Sequence, residues 1–459
     1  MAGAERLPLL LLLAVACGEP AGPGGDAPAL TAINGAGLPF IRPGDTLALE
    51  GRGFGLTQGN GSVRLGEEAL AIVSWSPSAI VAVATTVMAE SLLVTTGDGI
   101  SIGPLGVRAA PTDTVSTSAR PWSGGADLPA ALAQAAAAGI TFATGTGYTS
   151  LIVLSGGRRA DGTLTDSTRI GRTDGTGTVT AWSAAPDTIV PIARRLHAMV
   201  GATALSSRLA SGGVAWMIGG MDSTGRTLAD VLGISVGLDG SYGFWTPLAP
   251  LPGDRAGSAA TVGLGAIYVV GGFGTDSTAR RDVLMAIINP EGTINGWFRG
   301  PDLPVALAFA GAAVIDDRLY VAGGETGLVH PDSSVTGQLT SAVYSLRLSR
   351  RTGFFADTAW TTEPVALVHA RARHALYAAA GGLVVVGGVL VDSAVNDTEA
   401  ARIAGGTLGA FQESTATARI GGPTRDGGAP AIRDGSGFAV VTVVGGTDAG
   451  GATSRVWWH

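Results

Sequence analysis

The chain has 459 residues, more than one ordinary domain, so the sequence predicts two or more domains. Its 72 glycines and 46% hydrophobic residues, with only 14% charged residues, exclude a disordered chain and favour a β-rich protein with many tight turns. The formal net charge is −7 and the sequence has no basic cluster, which argues against nucleic acid as a partner.

Residues 1–17 predict an export signal. Arg6 precedes an apolar run at 7–15, which is shorter than the ~20 residues of a bilayer span but suits a signal-peptide core. The letters AVAC at 14–17 resemble the lipobox of bacterial lipoproteins, with alanine where that motif usually begins with leucine. The resemblance implies cleavage before Cys17, lipidation of its sulfur and a flexible tether at 18–28. The alternative is an ordinary secretory signal with an incidental cysteine.

Residues 29–108 alternate short apolar runs with turn residues, which is typical of an antiparallel sandwich. The letters PGD at 43–45 and the turn GRGFG at 51–55 resemble the IPT/TIG family of immunoglobulin-like domains. That resemblance implies a spacer or binding module without catalytic residues. Residues 109–114 are interpreted as a linker to the next domain.

The rest of the chain repeats. Six apolar runs end in a glycine doublet, at intervals of 52 to 64 residues. Trp182, Trp245 and Trp297 each follow the first glycine of a doublet by 26 residues. Trp360 comes later, after an insertion around GLVHPDSSVTGQ, and Phe411 takes the aromatic position of the next repeat. The doublets are Gly156-Gly157, Gly219-Gly220, Gly271-Gly272, Gly323-Gly324, Gly387-Gly388 and Gly445-Gly446.

A glycine doublet and a later tryptophan, with a period of roughly 50 residues, resemble kelch repeats, each a four-stranded blade of a β-propeller. The resemblance implies an all-β protein with an N-terminal immunoglobulin-like sandwich and a six-bladed propeller at 115–459. The apolar run is expected to be a buried inner strand, and the doublet to permit a sharp turn. The tryptophan is expected to fill the space between blades. Such a fold supports many functions, so it does not assign one.

The two ends of the propeller region predict how it closes. Only thirteen residues follow Gly446, enough for the strand TSRVWWH but not for a second strand. The segment VSTSARPW at 115–122 places Trp122 before the letters DLP, as other repeats place their tryptophans before Leu-Pro. We expect this segment to supply the outer strand of the last blade, because an unpaired edge would invite association with other chains.

A Pro-x-x-Arg-x-x-His element supplies the candidate ligand-binding residues. It is complete around Arg194 and partial in other repeats, while Leu132 and Leu307 take the arginine position in the first and fourth. Arginine suits carboxylate recognition through paired hydrogen bonds. Recurrence around the propeller favours instead a structural role in bridging blades or capping strands. The candidates are Arg194, His197, Arg255, Arg371, His374 and Arg419.

The sequence predicts neither a copper–radical cofactor nor a bound metal ion. Galactose oxidase also joins a kelch propeller to an immunoglobulin-like domain, but its cofactor needs a cysteine crosslinked to a tyrosine, and Cys17 lies in the signal region. No metal site is predicted, because His369 and His374 have no carboxylate at a ligand spacing and His330 stands alone. The acidic turn at 161–166 lacks the EF-hand spacing.

These observations favour a non-catalytic, lipid-anchored binding protein of the cell envelope, at the outer membrane or cell surface. Its expected partner is a glycan or an envelope protein, contacted by the rim loops at 156–166, 220–226, 272–281 and 325–338. One alternative is a kelch-type sugar mutarotase or lyase that uses arginine and acidic residues at the propeller mouth. Another is a structural envelope scaffold.

Overall fold

The computed structural model describes residues 28–33, 40–41, 46–65, 68–83, 91–106, 108–109, 122–144, 147–203, 212–289, 291–332, 335–350, 352–379, 381–391, 393–404, 406–413, 426–433, 439–448 and 451–458. These residues form strands, turns and bends with no helix, so the all-β prediction is confirmed for them. No helix that could cross a membrane occurs in this part of the chain. The predictions for Cys17, the tether and Arg419 lie outside the described residues.

The N-terminal region has two four-stranded sheets, in the orders β1-β3-β7-β6 and β5-β4-β8-β9, and a parallel pair of β2 with β10. Leu47 and Leu49 from one sheet and Val63 and Leu65 from the other share one buried core, so the two sheets form a sandwich. Phe54, in the GRGFG turn, is fully buried in the same core. The strands are β1 Ala29–Ile33, β2 Phe40–Ile41, β3 Thr46–Arg52, β4 Ser62–Leu65, β5 Glu68–Ala69, β6 Ala71–Trp75, β7 Ala79–Val83, β8 Ser91–Thr95, β9 Ser101–Gly106 and β10 Arg108–Ala109.

The described residues from 122 onward form six successive antiparallel sheets of four or five strands, here numbered 1 to 6, and four separate two-stranded pairs. Their strands are β11 Ser123–Gly124, β12 Leu132–Ala133, β13 Ala136–Thr144, β14 Gly147–Ser155, β15 Arg158–Arg159, β16 Thr168–Thr173, β17 Val179–Ala184, β18 Ala198–Thr203, β19 Gly212–Ile218, β20 Val231–Gly237, β21 Thr246–Pro247, β22 Ala259–Gly263, β23 Ala266–Val270, β24 Val283–Ile287, β25 Phe298–Arg299, β26 Gly311–Ile315, β27 Arg318–Ala322, β28 Glu325–Thr326, β29 Gln338–Leu339, β30 Val343–Arg347, β31 Thr361–Thr362, β32 Ala375–Ala379, β33 Gly382–Val386, β34 Val389–Leu390, β35 Ser393–Ala394, β36 Thr398–Ala404, β37 Thr407–Leu408, β38 Gln412–Glu413, β39 Ala431–Arg433, β40 Ala439–Val444, β41 Thr447–Asp448, β42 Gly451–Ala452 and β43 Val456–Trp458.

Each sheet repeats one order of strands. Sheet 1 is β13-β14-β16-β17, sheet 2 is β18-β19-β20-β21, sheet 3 is β22-β23-β24-β25, sheet 4 is β26-β27-β30-β31, sheet 5 is β32-β33-β36-β37 with β38 also on β36, and sheet 6 is β39-β40-β43-β11. The apolar run before each doublet is the second strand of its sheet, an interior strand with a partner strand on each side. In β23 all five residues are at most 1% exposed, which suits a strand covered on both faces.

Every sheet packs on its neighbours through a hydrophobic cluster. Separate clusters join sheets 1 and 2, 2 and 3, 3 and 4, 4 and 5, and 5 and 6. A sixth cluster, with Ile152 and Leu154 of sheet 1 and Ile432 and Val440 of sheet 6, joins the last sheet to the first. Tryptophans bind the preceding sheet, as where the Trp245 ring N–H donates to Thr168 Oγ1 at 2.9 Å.

The glycine doublets occupy backbone positions that side chains disfavour. Both glycines of all six doublets have φ between +57° and +110°, in the left-handed region. The second glycine donates its N–H to a carbonyl of the following sheet, as Gly220 does to Arg255 O at 2.8 Å. A Cβ on Gly219 would lie 2.5 Å from the same carbonyl. The doublet is therefore a place where two consecutive sheets meet too closely for a side chain.

The last sheet contains a strand from the start of the region. Ser123–Gly124 pairs antiparallel with Val456–Trp458. Trp122 is 9% exposed and lies in the cluster between sheets 5 and 6, beside Tyr377 and Val443. Of the predicted strand at 115–122, residues 115–121 lie outside the described residues, and Trp122 directly precedes the paired residues Ser123–Gly124.

Candidate functional site

The centre of the six sheets is a closed circuit of backbone hydrogen bonds, here called the central ring. Its members all have φ between +53° and +59°, a conformation that costs a non-glycine residue about 1–2 kcal/mol. Each N–H donates to the carbonyl of the preceding member at 2.8 to 3.3 Å, and the first member donates to the last. The members are Gln134, Leu196, Gly257, Phe309, Arg373 and Asp426.

The geometry of this ring repeats from sheet to sheet, and three of the predicted arginines lie at the same place in their repeats. Arg194, Arg255 and Arg371, here called the clamp arginines, each stand two residues before a ring member and are at most 1% exposed. Arg194 donates to both carboxylate oxygens of Asp230 at 2.7 Å and to Gly219 O at 3.0 Å. The other two make the equivalent bonds to the first glycine of a doublet and to the aspartate that precedes the third strand.

Acidic partners accompany the clamp arginines within the molecule. Arg255 pairs with Asp282, and Arg371 binds Asp397 and Glu399, whose side chains are 6% and 0% exposed. In the fourth sheet, where Leu307 replaces arginine, Ala342 takes the place of the aspartate; its carbonyl accepts the N–H of Gly323, as Asp282 O accepts that of Gly271. The guanidinium groups thus face the protein interior, which supports the structural role and leaves them closed to a ligand.

His197 and His374 are equally interior. Both follow a central-ring residue directly and pack against the doublet of the preceding sheet, with a ring carbon near Gly156 and Gly323 respectively. Burial, with the neighbouring clamp arginine as a smaller cause, lowers the pKa of each imidazole from 6.5 to about 3. They are therefore neutral packing groups at ordinary pH, placed between consecutive sheets.

A different set of arginines lies around the centre, and of these only Arg158 is substantially exposed. Arg158, Arg195 and Arg373, here called the mouth arginines, line a cavity of about 310 Å³ or contact its lining residues. Arg158 Nη1 lies 3.0 Å from Asp332 Oδ1, and Arg195 binds both oxygens of the same carboxylate, with Nη2 to Oδ2 at 3.0 Å. The mouth arginines lower the pKa of the Asp332 carboxyl, mainly through the Arg195 hydrogen bond.

The central ring supplies the floor of this cavity. The Gln134 side chain accepts from Arg195 Nη1 at 2.9 Å and donates to Pro331 O at 3.0 Å. Arg373, whose side chain is 1% exposed, donates to Asp426 Oδ1 at 3.0 Å and lies 3.8 Å above the centre of the Phe309 ring. Cation and ring attract each other through the ring quadrupole, so the Arg373 guanidinium is held by both the Asp426 carboxylate and the Phe309 ring.

Asp332 reaches the centre on the insertion of sheet 4, between β28 and β29. Arg373 Nη2 donates to His330 O at 3.0 Å, and Val329 is fully buried against the cluster around the ring. At the base of the insertion, buried Glu325 accepts the N–H groups of Thr336 and Gly337 at 2.8 and 2.7 Å. The predicted rim loop at 325–338 therefore folds inward over the centre.

The sequence repeat indicates the clamp arginines but not the mouth arginines. Two mouth arginines lie one or two residues after a clamp arginine, in RRL (194–196) and RAR (371–373), and Arg158 lies directly after a doublet. Left-handed positions carry no fixed residue type in this chain, so the ring had no signature. The only indication of the ring in the sequence is its spacing, since each ring member stands two residues after the position that the clamp arginine occupies in its repeat.

One group of side chains could hold a metal ion by distance alone. His369, Asp397 and Glu413 each bring a ligand atom within 4.8 Å of the others. Both carboxylates are far from His369 in sequence, so the ligand spacing along the chain gave no sign of this group. Asp397 already accepts from Arg371 at 2.7 and 2.9 Å, which compensates its charge without an ion.

Comparison with known proteins places the repeats. Beta-scruin of Limulus polyphemus is 34% identical over 137 residues, 29% of this chain and 14% of that protein. Kelch-like protein 36 of Mus musculus is 35% identical over 101 residues, 22% of this chain and 16% of that protein. An F-box/kelch-repeat protein of Arabidopsis thaliana is 36% identical over 80 residues, 17% of this chain and 20% of that protein.

The matches thus span a fifth or less of these relatives. No protein-family model matches the chain. The solved structure of YjhT aligns with a TM-score of 0.49 at 15% identity, over 73% of this chain and 96% of that one. Kelch-repeat relatives and the recurring four-stranded sheets together support a kelch-type β-propeller.

Proposed function

We propose that this protein is a lipid-anchored binding protein of the cell envelope, in which a six-bladed propeller presents its central mouth to a glycan or an envelope protein. The observation that carries the proposal is the mouth cavity, where mouth arginines, backbone carbonyls and rim loops converge on a central opening. Clefts with a few converging polar groups are the usual form of a ligand site. The purified propeller would be screened against a glycan array. Absence of binding to every glycan on the array would contradict glycan recognition.

In this proposal the six sheets are six blades of one closed propeller. Three features support closure: the cluster between sheets 6 and 1, the strand Ser123–Gly124 at the outer edge of sheet 6, and the return of the central-ring bonds to Gln134. Each joins the start of the region to its end. A propeller closed in this way has no unpaired edge at the junction between first and last blades.

The N-terminal sandwich is proposed as an immunoglobulin-like IPT/TIG spacer between the membrane and the propeller. Support comes from its two packed sheets and the buried GRGFG phenylalanine. The anchor itself is proposed on Cys17. Stable attachment needs two or more acyl chains, since one gives only marginal binding. Cys17→Ser should move the protein from the membrane fraction to the soluble fraction, and unchanged membrane association would refute the anchor.

A second candidate function is a sugar mutarotase or lyase at the same mouth. The observation in its favour is that carboxylates lie beside arginines there, as in the pairs Arg373–Asp426 and Arg195–Asp332. General acid–base chemistry on a sugar would need such groups within hydrogen-bond reach of the substrate. Sugars that bind would be followed by NMR for anomer exchange or cleavage; binding with unchanged spectra rejects the enzyme. If neither binding nor turnover of a sugar is observed, the scaffold interpretation remains.

A further inference from the structure

The carboxylate of Asp332 is held in the centre as a ligand would be. Its two oxygens face both Nη atoms of Arg195, and Arg158 adds a third contact to one of them. Paired bonds from a guanidinium to a carboxylate are strong and geometrically specific. Yet the Asp332 side chain is 52% exposed and is carried by an insertion, not by the framework of a sheet.

We propose that Arg158 and Arg195, above Gln134, form an anion site at the mouth for a carboxylate-bearing sugar, and that Asp332 is an internal competitor that this carboxylate displaces. The inference rests on the proposed binding function and names its ligand class.

The arginine side of the site has contacts other than Asp332. The Arg195 side chain is only 10% exposed and also bonds Gln134 Oε1 at 2.9 Å and Met221 Sδ at 3.6 Å. The central ring holds the backbone of Gln134, and its side chain donates to the Pro331 carbonyl at 3.0 Å. When Asp332 leaves, the guanidinium therefore stays in place with its carboxylate partner missing. An incompletely paired, largely buried cation favours entry of another anion.

The charges around the site leave room for one carboxylate. Arg373 is already paired with Asp426, and Asp161, on the cavity wall, accepts from Thr163 N and Oγ1 at 2.9 and 2.7 Å. Arg158 and Arg195 thus share the single charge of Asp332. The adjoining space of about 310 Å³ can take a sugar ring attached to the incoming carboxylate.

The test compares D-glucuronate with D-glucose, which differ by the carboxylate, in titration calorimetry of the full chain. Asp332→Ala should tighten glucuronate binding about five- to tenfold, because a site occupied by its own competitor most of the time binds in proportion to its free fraction. Asp161→Ala removes the same charge from the same cavity without freeing an arginine, and should change the affinity by less than about twofold. Glucose should bind neither variant measurably.

Further variants keep the test decisive. In the Asp332→Ala background, Arg195→Leu should abolish glucuronate binding, while an unchanged melting temperature of Asp332→Ala excludes a folding artefact. Equal affinity of wild type and Asp332→Ala would overturn the competitor, and inorganic phosphate binding as tightly as glucuronate would overturn the carboxylate class. Binding of neutral glycans on the array, with no glucuronate effect, would refute this site while leaving the proposed function standing.

Discussion

Arg194 and Arg195 are neighbours in sequence and belong to opposite regions of the molecule. Arg194 points into the junction between sheets and has no exposed side-chain surface, whereas Arg195 points to the central mouth, where its Asp332 partner is half exposed. Leu196, the central-ring residue with positive φ, follows directly after both arginines. The same residue type thus bonds the framework of its own sheet at one position and the half-exposed Asp332 at the next, which sequence repetition alone does not distinguish.

The junctions themselves differ from sheet to sheet. Sheets 2, 3 and 5 have an arginine with an aspartate, while sheet 4 has Leu307 with Ala342 at the same places. Sheet 1 combines Leu132 with Ser167, whose carbonyl accepts the N–H of Gly156. Where the arginine is replaced by leucine, the aspartate is therefore replaced by an uncharged residue as well. An ion pair in the interior is replaceable by apolar packing, but a single partner removed leaves an uncompensated charge.

The largest effect is expected from breaking one clamp. Arg371→Leu removes the cation that pairs with Asp397 and Glu399, whose side chains are 6% and 0% exposed, and leaves Glu399 only the N–H groups of Val368 and His369. It should lower the free energy of unfolding by about 5 kcal/mol. Arg255→Leu and Arg194→Leu should cost progressively less, because Asp282 and Asp230 are 18% and 35% exposed. Denaturant unfolding of the three variants measures the order, and equal losses would refute a dependence on the stranded acid.

The matched control converts a clamp into the apolar junction of sheet 4. The double variant Arg255→Leu, Asp282→Ala copies the pair Leu307 and Ala342 and should recover most of the stability lost in Arg255→Leu. A double variant no more stable than the single one would place the arginine's contribution in packing and in its bond to Gly271 O, at 3.1 Å, instead of in charge compensation.

A second prediction concerns the junction made by the start of the propeller region. Trp122→Ala removes a 9% exposed ring from between sheets 5 and 6 and should cost about 3–4 kcal/mol. Trp75→Ala, in the separate N-terminal sandwich, is the control, and should leave propeller unfolding unchanged. If Trp122→Ala melts with the wild type, the first residues of the region contribute nothing to closure.

The repeat period, and the pairing of residues beside Trp122 with the last strand, could be predicted because glycine doublets and tryptophans leave a signal in sequence. Doublets recur because both positions need positive φ and little volume, and Trp122 had the spacing of its relatives. The mouth could not be predicted, because Asp332, Arg158 and Arg195 come from three loops that only the assembled ring brings together. Their residue types do not repeat, so periodicity gave no indication of the site.

A third prediction uses the two histidines at the junctions. The folded state holds the pKa of His197 and His374 near 3, so between pH 6.5 and 3 only the unfolded chain takes up these protons. The free energy of unfolding therefore falls as the pH drops below 6.5, by up to about 1.4 kcal/mol per pH unit for each histidine, or about 2 kcal/mol each at pH 5. Their contribution is fully present above pH 6.5.

The substitutions that test it are already used by other sheets. His197→Ser and His374→Ala copy Ser258 and Ala310, which follow the central-ring residues Gly257 and Phe309. Unfolding curves at pH 8 give the packing cost of each change, and curves at pH 5 should show each variant less acid-sensitive than wild type by about 2 kcal/mol. Parallel pH profiles would mean that the imidazoles do not carry the acid sensitivity.

The smallest effect on stability is expected for the mouth arginine Arg158, in contrast to the large effect expected for the buried clamp arginines. Arg158 and Asp332 are 42% and 52% exposed, so water replaces much of their interaction, and Arg158→Ala should change the free energy of unfolding by less than about 1 kcal/mol. Arg194→Leu, at a fully buried guanidinium, serves as the contrast in the same denaturant series. Because Arg158 approaches Asp332 from the solvent side and Arg195 from the interior, Asp332 keeps its paired contact in the variant. A loss as large as that of a clamp arginine would mean that the mouth is part of the framework, and that evolution of its residues is restricted by folding as much as by a ligand.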